Sequence, residues 1–129
     1  MLKVVAGICA RSGKILMGKR MPADGSFGGY WEFPGGKVEQ GETNEHALAR
    51  EFNEELGAEI HSIEFFEQIV WKYPHRTVEL NFYRVDIDPS DLDRLQTNSH
   101  SELAWVTKEE ALSRPILPAN IDLISKLSF

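Results

Sequence analysis

The sequence lacks the features that mark several classes of protein. Its single cysteine, Cys9, cannot form a disulfide within the chain, which favours a reducing compartment such as the cytoplasm. No apolar run is long enough to cross a membrane, and the N-terminal residues do not follow the pattern of a secretion signal. Basic residues are also scarce, with 14 Lys and Arg against 20 Asp and Glu. The resulting net charge of −6 repels nucleic-acid backbones and disfavours DNA or RNA polymers as partners.

The remaining composition is that of an ordinary globular protein. Hydrophobic residues make up 42% of the chain and charged residues 26%, which excludes disordered, collagen-like and disulfide-scaffold classes. A length of 129 residues predicts one domain spanning residues 1–129. A small anionic substrate would need a metal ion or a local basic cluster to offset the acidic surface.

The pattern of apolar and polar residues predicts a mixed α/β fold. Strands are predicted at residues 2–10, 14–19, 31–33, 60–71, 77–87 and 102–106. Helices are predicted at residues 43–56, 107–113 and about 119–127. The first two strands are expected to form a hairpin, and residues 20–30 and 88–99 are expected to be loops. Because hairpins dominate, we expect a mixed sheet and not a series of βαβ units.

The strongest helix signal lies at residues 43–56. Thr43 is a suitable N-cap, and Gly57 is a suitable residue to end the helix. Leu48, Phe52 and Leu56 recur every four residues and predict the buried stripe.

The same helix carries a group of carboxylates. Glu51, Glu54 and Glu55 are spaced i, i+3 and i+4, so they project from one side of the helix, next to the apolar stripe. Oxygen ligands at this density suit Mg²⁺ or Mn²⁺. The alternative is a solvated acidic helix face, which is common in Glu-rich helices.

The residues around this helix favour the metal site. The segment reads Gly36-x5-Glu42-x7-Arg50-Glu51-Phe52-x-Glu54-Glu55-x-Gly57-Ala58. It resembles the Nudix box, the signature of hydrolases that act on a nucleoside diphosphate linked to another group, with Ala58 where a larger aliphatic residue is usual. The resemblance implies a Nudix fold, in which a mixed β-sheet is sandwiched between α-helices.

The resemblance also implies the roles of the residues in and near the box. Gly35, through its carbonyl, and Glu51, Glu54 and Glu55 are the expected metal ligands, and these glutamates share the catalytic work. Glu51 is the first choice for the general base. Glu102 is either a further metal ligand that approaches from a loop or an ordinary surface glutamate. Structural roles are expected for Gly36, Glu42, Arg50 and Gly57.

Three further segments resemble the MutT-type nucleoside triphosphate pyrophosphohydrolases within that family. They are residues 31–37, residues 73–76 and residues 118–120. The likeness implies a monomeric, Mg²⁺-dependent enzyme that converts 8-oxo-dGTP into 8-oxo-dGMP and pyrophosphate and so cleanses the nucleotide pool. The expected substrate-binding residues are Arg20 (or Lys19 in its place), Phe33, Lys37, Tyr73, Arg76 and Asn120. Phe33 and Tyr73 are equally compatible with ordinary core positions.

Asn120 bears on the choice of base. Its amide offers a donor and an acceptor, which match O6 and N7–H of 8-oxoguanine, whereas guanine presents two acceptors there. Asn120 is alternatively an N-cap of the last helix. Related pyrimidine triphosphate hydrolases tend to carry Asp at this position, so a CTP or 5-methyl-dCTP pyrophosphohydrolase is the second hypothesis. A non-catalytic nucleotide sensor is the third.

The histidines show no metal-ligand spacing. His46, His61, His75 and His100 are therefore predicted to be surface or loop residues, and Cys9 is predicted to be a small buried residue.

Overall fold

The computed structural model describes residues 1–23 and 25–129. The strands are β1 (Leu2–Ile8), β2 (Ala10–Arg11), β3 (Lys14–Arg20), β4 (Trp31–Glu32), β5 (Gly35–Lys37), β6 (Ile60–Tyr73), β7 (Arg76–Ile87) and β8 (His100–Val106). The helices are α1 (Asn44–Leu56), α2 (Lys108–Leu112) and α3 (Pro118–Lys126), with short 3-10 turns at Gly25–Phe27 and Pro89–Asp91. The predicted loop at residues 20–30 includes Asp24, which lies outside the described residues. The described elements confirm the mixed α/β class.

The strands form two sheets within the described residues. The first has the order β5-β1-β7-β6, in which β1 and β7 are parallel and the other neighbours are antiparallel. In the second, β3 pairs with β2, β4 and β8, all antiparallel. The first sheet is mixed because β1 and β7 are parallel while its other neighbouring strands are antiparallel.

The predicted hairpin between the first two strands is wrong for most of its length. Only the two residues of β2 pair with β3, through Ala10 with Ile15 and Arg11 with Lys14. Strand β1 instead lies between β5 and β7 in the other sheet. The reason is that β1 is apolar on both faces, so burial in the middle of a sheet removes more apolar surface from water than a hairpin would.

Helices cover both sides of the strand layer. One core cluster joins the apolar stripe of α1 to Val5, Cys9 and Leu16. The other joins α2 and α3 to Ala6 and Ile8 of β1 and to the opposite face of β3. Neighbouring residues of one strand thus point to different helices, as alternation along a strand requires. The predicted sandwich is confirmed.

The ends of α1 agree with the prediction. The Thr43 hydroxyl accepts a hydrogen bond from the backbone amide of His46 (3.1 Å). Gly57 ends the helix with φ of 67°, a left-handed conformation that favours glycine. Leu48, Phe52 and Leu56 are fully buried. The predicted capping box of α2 is also present, with Thr107 and Glu110 bonding each other's backbone amides.

Other boundaries shift in ways that affect the site. The strands β6 and β7 extend to Tyr73 and from Arg76, so that only Pro74 and His75 form the turn between them. Gly35 and Gly36 lie in β5, paired with β1, and not in a tight loop. Within the described part of the chain, no helix is long and apolar enough to span a membrane.

Candidate active site

Arg50 joins the helix α1 to the segment that precedes it. Its Nε and Nη2 donate to the two carboxylate oxygens of Glu42 (2.8 and 2.9 Å), and Nη2 also donates to the Lys37 carbonyl oxygen (3.0 Å). The bonds from Arg50, followed by one from the backbone amide of Glu39 (2.9 Å), lower the pKa of Glu42 to about 2. The expected charge-assisted bond between Arg50 and Glu42 is therefore present, and it fixes β5 against the helix.

Glu51 lies directly against β5. Its Oε1 accepts a hydrogen bond from Nη1 of Arg50 (2.9 Å). A Cβ atom at Gly36 would come within 2.6 Å of both Glu51 oxygens, so only glycine leaves room for this carboxylate. The spacing of Gly36 and Glu51 in the sequence thus reflects a direct contact in the structure.

Among the described acidic residues, Glu55 has the pKa that differs most from its usual value. It is only 5% exposed, and its Oε2 is buried without a hydrogen-bond partner. Burial, followed by the neighbouring Glu51, raises the pKa of Glu55 to about 10. Glu54, on the same side of the helix, is 58% exposed and accepts a bond from Arg50 (3.3 Å).

These carboxylates fit a divalent cation. Glu55 has a buried oxygen without a partner and lies beside the carboxylate of Glu51, and carboxylate oxygens are hard donors of the kind that Mg²⁺ and Mn²⁺ prefer. A bound cation would offset both the burial and the neighbouring negative charge of Glu51, which together raise the pKa of Glu55. The geometry therefore favours a metal site over a solvated acidic face on this side of α1.

The sequence interpretation missed His100, which lies beside Glu55, and Glu32, which lies beside His100. His100, at the start of β8, is 1% exposed, and its Nε2 lies 3.0 Å from Oε2 of Glu32. Its Nδ1 lies 3.8 Å from Oε1 of Glu55. The prediction that His100 is a surface or loop residue is wrong, because β8 pairs with β3 and brings the ring under α1. The available signal was Gly18, since a glycine inside an apolar strand often marks a close approach.

A cleft of about 710 Å³ opens beside this cluster. Its lining comes mainly from β1, β4, β5, β7 and the turn that precedes β7, with additional residues from the end of β3, the 3-10 turn at Gly25–Phe27 and the start of α3. The predicted substrate-binding residues all border it, namely Arg20, Phe33, Lys37, Tyr73, Arg76 and Asn120. Gly35 and Gly36 also line it, so the cleft reaches the residues that contact α1.

Aromatic residues in the cleft divide into core and surface positions. Phe33 is 3% exposed and packs edge-to-face on Phe82, so it belongs to the core while bordering the cleft. Tyr73 is half-buried and contacts Phe27 edge-to-face (5.8 Å between centroids). Burial raises the pKa of Tyr73 above its usual value. Phe27 lines the cleft as well and was not among the predicted residues.

Asn120 borders the cleft but does not cap the helix. The N-cap of α3 is Leu117, and the backbone amide of Asn120 donates to its carbonyl oxygen (2.8 Å). The alternative that Asn120 is an N-cap is therefore wrong. Its side chain is 5% exposed and forms no hydrogen bond with another described residue, which leaves the amide available to a ligand.

Glu102 lies within β8 and not in a loop. It is exposed, and its backbone is opposite that of Lys19. It is one residue before Leu103, which packs against the cluster under α1, so alternation places Glu102 on the other face of the sheet. Arg20 is half-buried and donates to Glu32 (3.0 Å), which orients it at the edge of the cleft.

The other histidines agree with the prediction of surface positions. His46, His61 and His75 are exposed. His61 lies beside two carboxylates, Glu59 and Asp88, and the possible ligand atoms of the three lie within 4.8 Å of one another. Cys9 is buried, and burial raises the pKa of its thiol to about 11.

Comparison with known proteins places these residues in a family context. The family model described as NUDIX domain matches residues 1–127. The chain is 41% identical to the CTP pyrophosphohydrolase of Escherichia coli over 124 residues, covering 96% of this chain and 89% of that protein. It is 33% identical to the 8-oxo-dGTP diphosphatase of Haemophilus influenzae over 127 residues, covering 98% and 90% of the two chains. The solution structure of the E. coli ORF135 protein superposes with a TM-score of 0.82 at 39% identity, covering 97% and 86%.

Proposed function

Because the chain belongs to the Nudix family of hydrolases, we propose that it hydrolyses nucleoside triphosphates to the monophosphate and pyrophosphate, with 8-oxo-dGTP as the preferred substrate. The reaction would remove an oxidised precursor before a polymerase can use it. The cleft is large enough for a small-molecule substrate of this kind.

The acidic residues on α1 would bind the metal ion. Glu51, Glu54 and Glu55 supply carboxylate oxygens and Gly35 a carbonyl oxygen, and Mg²⁺ is the expected ion, with Mn²⁺ as a substitute. Once bound, the ion neutralises the phosphates and lowers the pKa of water in the site. Glu102, on the other face of its sheet, is a ligand only if β8 rearranges.

The protein side chains would do the remaining work. Glu51 is the first choice to accept the proton of the attacking water, since Gly36 and Arg50 hold its carboxylate in place. Arg20 and Lys37 bring positive charge to the phosphates at the edge of the cleft. The water oxygen adds to the β-phosphorus, the bond from that phosphorus to the α–β bridging oxygen breaks, and the monophosphate leaves.

The observation that carries the choice of base is the free amide of Asn120 in the cleft. Its NH₂ group would donate to O6, and its carbonyl oxygen would accept from N7–H of 8-oxoguanine. Guanine has a lone pair at N7, so one of these bonds is lost and two acceptors face each other. An unpaired polar group costs about 1–3 kcal/mol, which corresponds to a selectivity of about 5- to 150-fold.

A second candidate is a CTP pyrophosphohydrolase. It is favoured by the 41% identity to the E. coli enzyme of that name, which extends over 96% of this chain. The same cleft and metal ligands would serve, and the difference lies only in which base Asn120 and its neighbours accept.

The test is a panel of 8-oxo-dGTP, dGTP, CTP and 5-methyl-dCTP, scored by kcat/KM with Mg²⁺. We expect 8-oxo-dGTP to be preferred, and Asn120→Ala to lower kcat/KM for 8-oxo-dGTP far more than for dGTP. Asn120→Asp should also impair 8-oxo-dGTP, because a carboxylate cannot donate to O6, and should raise the rate with CTP. Asn53→Ala, an exposed change on α1, is the matched control and should leave the panel unchanged.

Two outcomes would contradict the proposal. If the wild type prefers CTP over 8-oxo-dGTP, the second candidate is correct. If Asn120→Ala reduces all triphosphates equally, the residue does not read the base.

A further inference from the structure

His100 lies at the centre of a row of buried and half-buried polar side chains. Arg20 donates to Oε1 of Glu32 (3.0 Å), and Oε2 of Glu32 lies 3.0 Å from Nε2 of His100. On its other side, Nδ1 of His100 faces the carboxylate of Glu55 at 3.8 Å. The row therefore runs from the edge of the cleft to a proposed metal ligand on α1.

The position of the ring is tightly defined. A Cβ atom at Gly18 would lie 2.5 Å from Cδ2 and 2.6 Å from Cγ of His100, so the ring sits flush against the backbone of β3. Glu32 and Gly18 are opposite each other in the pairing of β3 with β4. The missing side chain of Gly18 leaves a space on β3, and the imidazole of His100 occupies this space between Glu32 and Glu55.

Three buried atoms among these side chains have no hydrogen-bond partner. They are Nε of Arg20, Nδ1 of His100 and Oε2 of Glu55, and the last two belong to the neighbouring pair His100 and Glu55. Buried polar atoms without a partner are uncommon, and they concentrate at sites that bind ions or perform chemistry. A movement of under about 1 Å would bring Nδ1 and the Glu55 carboxylate to hydrogen-bond distance.

We infer that His100 is a positioning residue that orients Glu55 for metal binding, with Glu32 holding the ring in register. Carboxylates that ligate a metal ion are commonly hydrogen-bonded by a supporting group, which restricts the rotation of the ligand. The inference rests on the proposed function only in taking the α1 glutamates as the metal ligands, and it does not depend on which nucleotide is hydrolysed.

Substitutions at residue 100 can separate the two sides of the ring. Asn reaches about as far as Nδ1 and can donate to Glu55, whereas Gln reaches about as far as Nε2 and can bond Glu32. Leu fills similar space and does neither. Mn²⁺ affinity is measured on the nucleotide-free protein by electron paramagnetic resonance, and folding is checked by thermal unfolding in EDTA.

We expect His100→Leu and His100→Gln to weaken Mn²⁺ binding by about 10- to 100-fold, the usual effect of removing a supporting group. His100→Asn should restore most of the affinity. His61→Gln is the matched control, since His61 also pairs with a carboxylate, Asp88, at 3.3 Å, but on the surface. His61→Gln should leave the Mn²⁺ affinity of the α1 site unchanged. If the surface group of Glu59, His61 and Asp88 also binds an ion, this variant should bind fewer ions per chain than the wild type.

The inference is overturned if folded His100→Leu binds Mn²⁺ as tightly as the wild type. It is also overturned if Asn, Gln and Leu all weaken binding equally, because the ring would then act through packing alone. Failure of the wild type to bind Mn²⁺, with Glu51→Gln as reference, would overturn the metal site and this role together. A nucleotide panel that contradicts the proposed substrate, with the affinities ordered as expected, would leave the role of His100 supported.

Discussion

Replacing Glu55 by Gln should stabilise the metal-free protein while weakening its metal binding. Folding raises the pKa of Glu55 from 4.5 to about 10, so above pH 4.5 the folded chain retains a proton that the unfolded chain releases. Stability is therefore lost as the pH rises from 4.5 towards 10, at about 1.4 kcal/mol per pH unit. Gln does not ionise, and its amide can donate to Glu51 as a protonated Glu55 would.

The structure gives the size of the effect. At pH 7 Glu55 is protonated in the folded chain, whose pKa is about 10, and ionised in the unfolded chain, whose pKa is 4.5. Between pH 4.5 and pH 7 the folded state therefore loses about 3 kcal/mol of stability. For a chain of this size, that free energy corresponds to a rise in Tm of roughly 10 °C. At pH 5 the gain should fall below about 1 kcal/mol, because the unfolded state is then partly protonated as well.

The assay is thermal unfolding of the wild type and Glu55→Gln in EDTA at pH 5 and pH 7, repeated with Mg²⁺. The variant should be more stable in EDTA, by more at pH 7, and should gain less from Mg²⁺ because it binds the ion less tightly. Glu54→Gln is the matched control: its side chain is 58% exposed, and its stability should stay within about 0.5 kcal/mol of the wild type. Equal stability of wild type and Glu55→Gln in EDTA at both pH values would refute the burial argument.

Three other predictions concern the reaction and the ion pair between Arg50 and Glu42. Glu51→Gln should fold normally and lower kcat by about 10²–10⁴-fold, and a loss below tenfold in steady-state assays would assign the base to another glutamate. Hydrolysis in ¹⁸O water should place the label in pyrophosphate, as read by mass spectrometry, whereas label in the monophosphate would mean attack at the α-phosphorus. In acid titrations, the stability that Glu42 gains from Arg50 should be present above about pH 4.5 and lost as the pH falls towards 2, and Glu42→Gln should flatten that part of the profile.

The part of the site that lies on one helix could be predicted from the sequence. Glu51 and Glu55 are held on one side by helical spacing, and Thr43 and Gly57 mark the ends by rules that involve only neighbouring residues. The ion pair between Glu42 and Arg50 could be predicted for the same reason, since both residues belong to one short segment. Local geometry is enough wherever the interacting residues are close in the chain.

The role of His100 could not be predicted in this way. Glu32, Glu55 and His100 come from three separate segments, and their meeting depends on β8 pairing with β3 under α1. The sequence holds only an indirect trace of it, the glycine at position 18, whose missing side chain admits the ring.

The sequence by itself determined the fold class, the helix that carries the carboxylates, and the family resemblance, because each depends on periodicity or on fixed spacing within a short stretch. The tertiary structure decided which strands are neighbours, that Glu55 is buried while Glu54 is exposed, and that Asn120 borders the cleft without capping α3. Burial and long-range pairing are properties of the packed layers, and they set both the pKa of a carboxylate and the partners that its oxygens can reach.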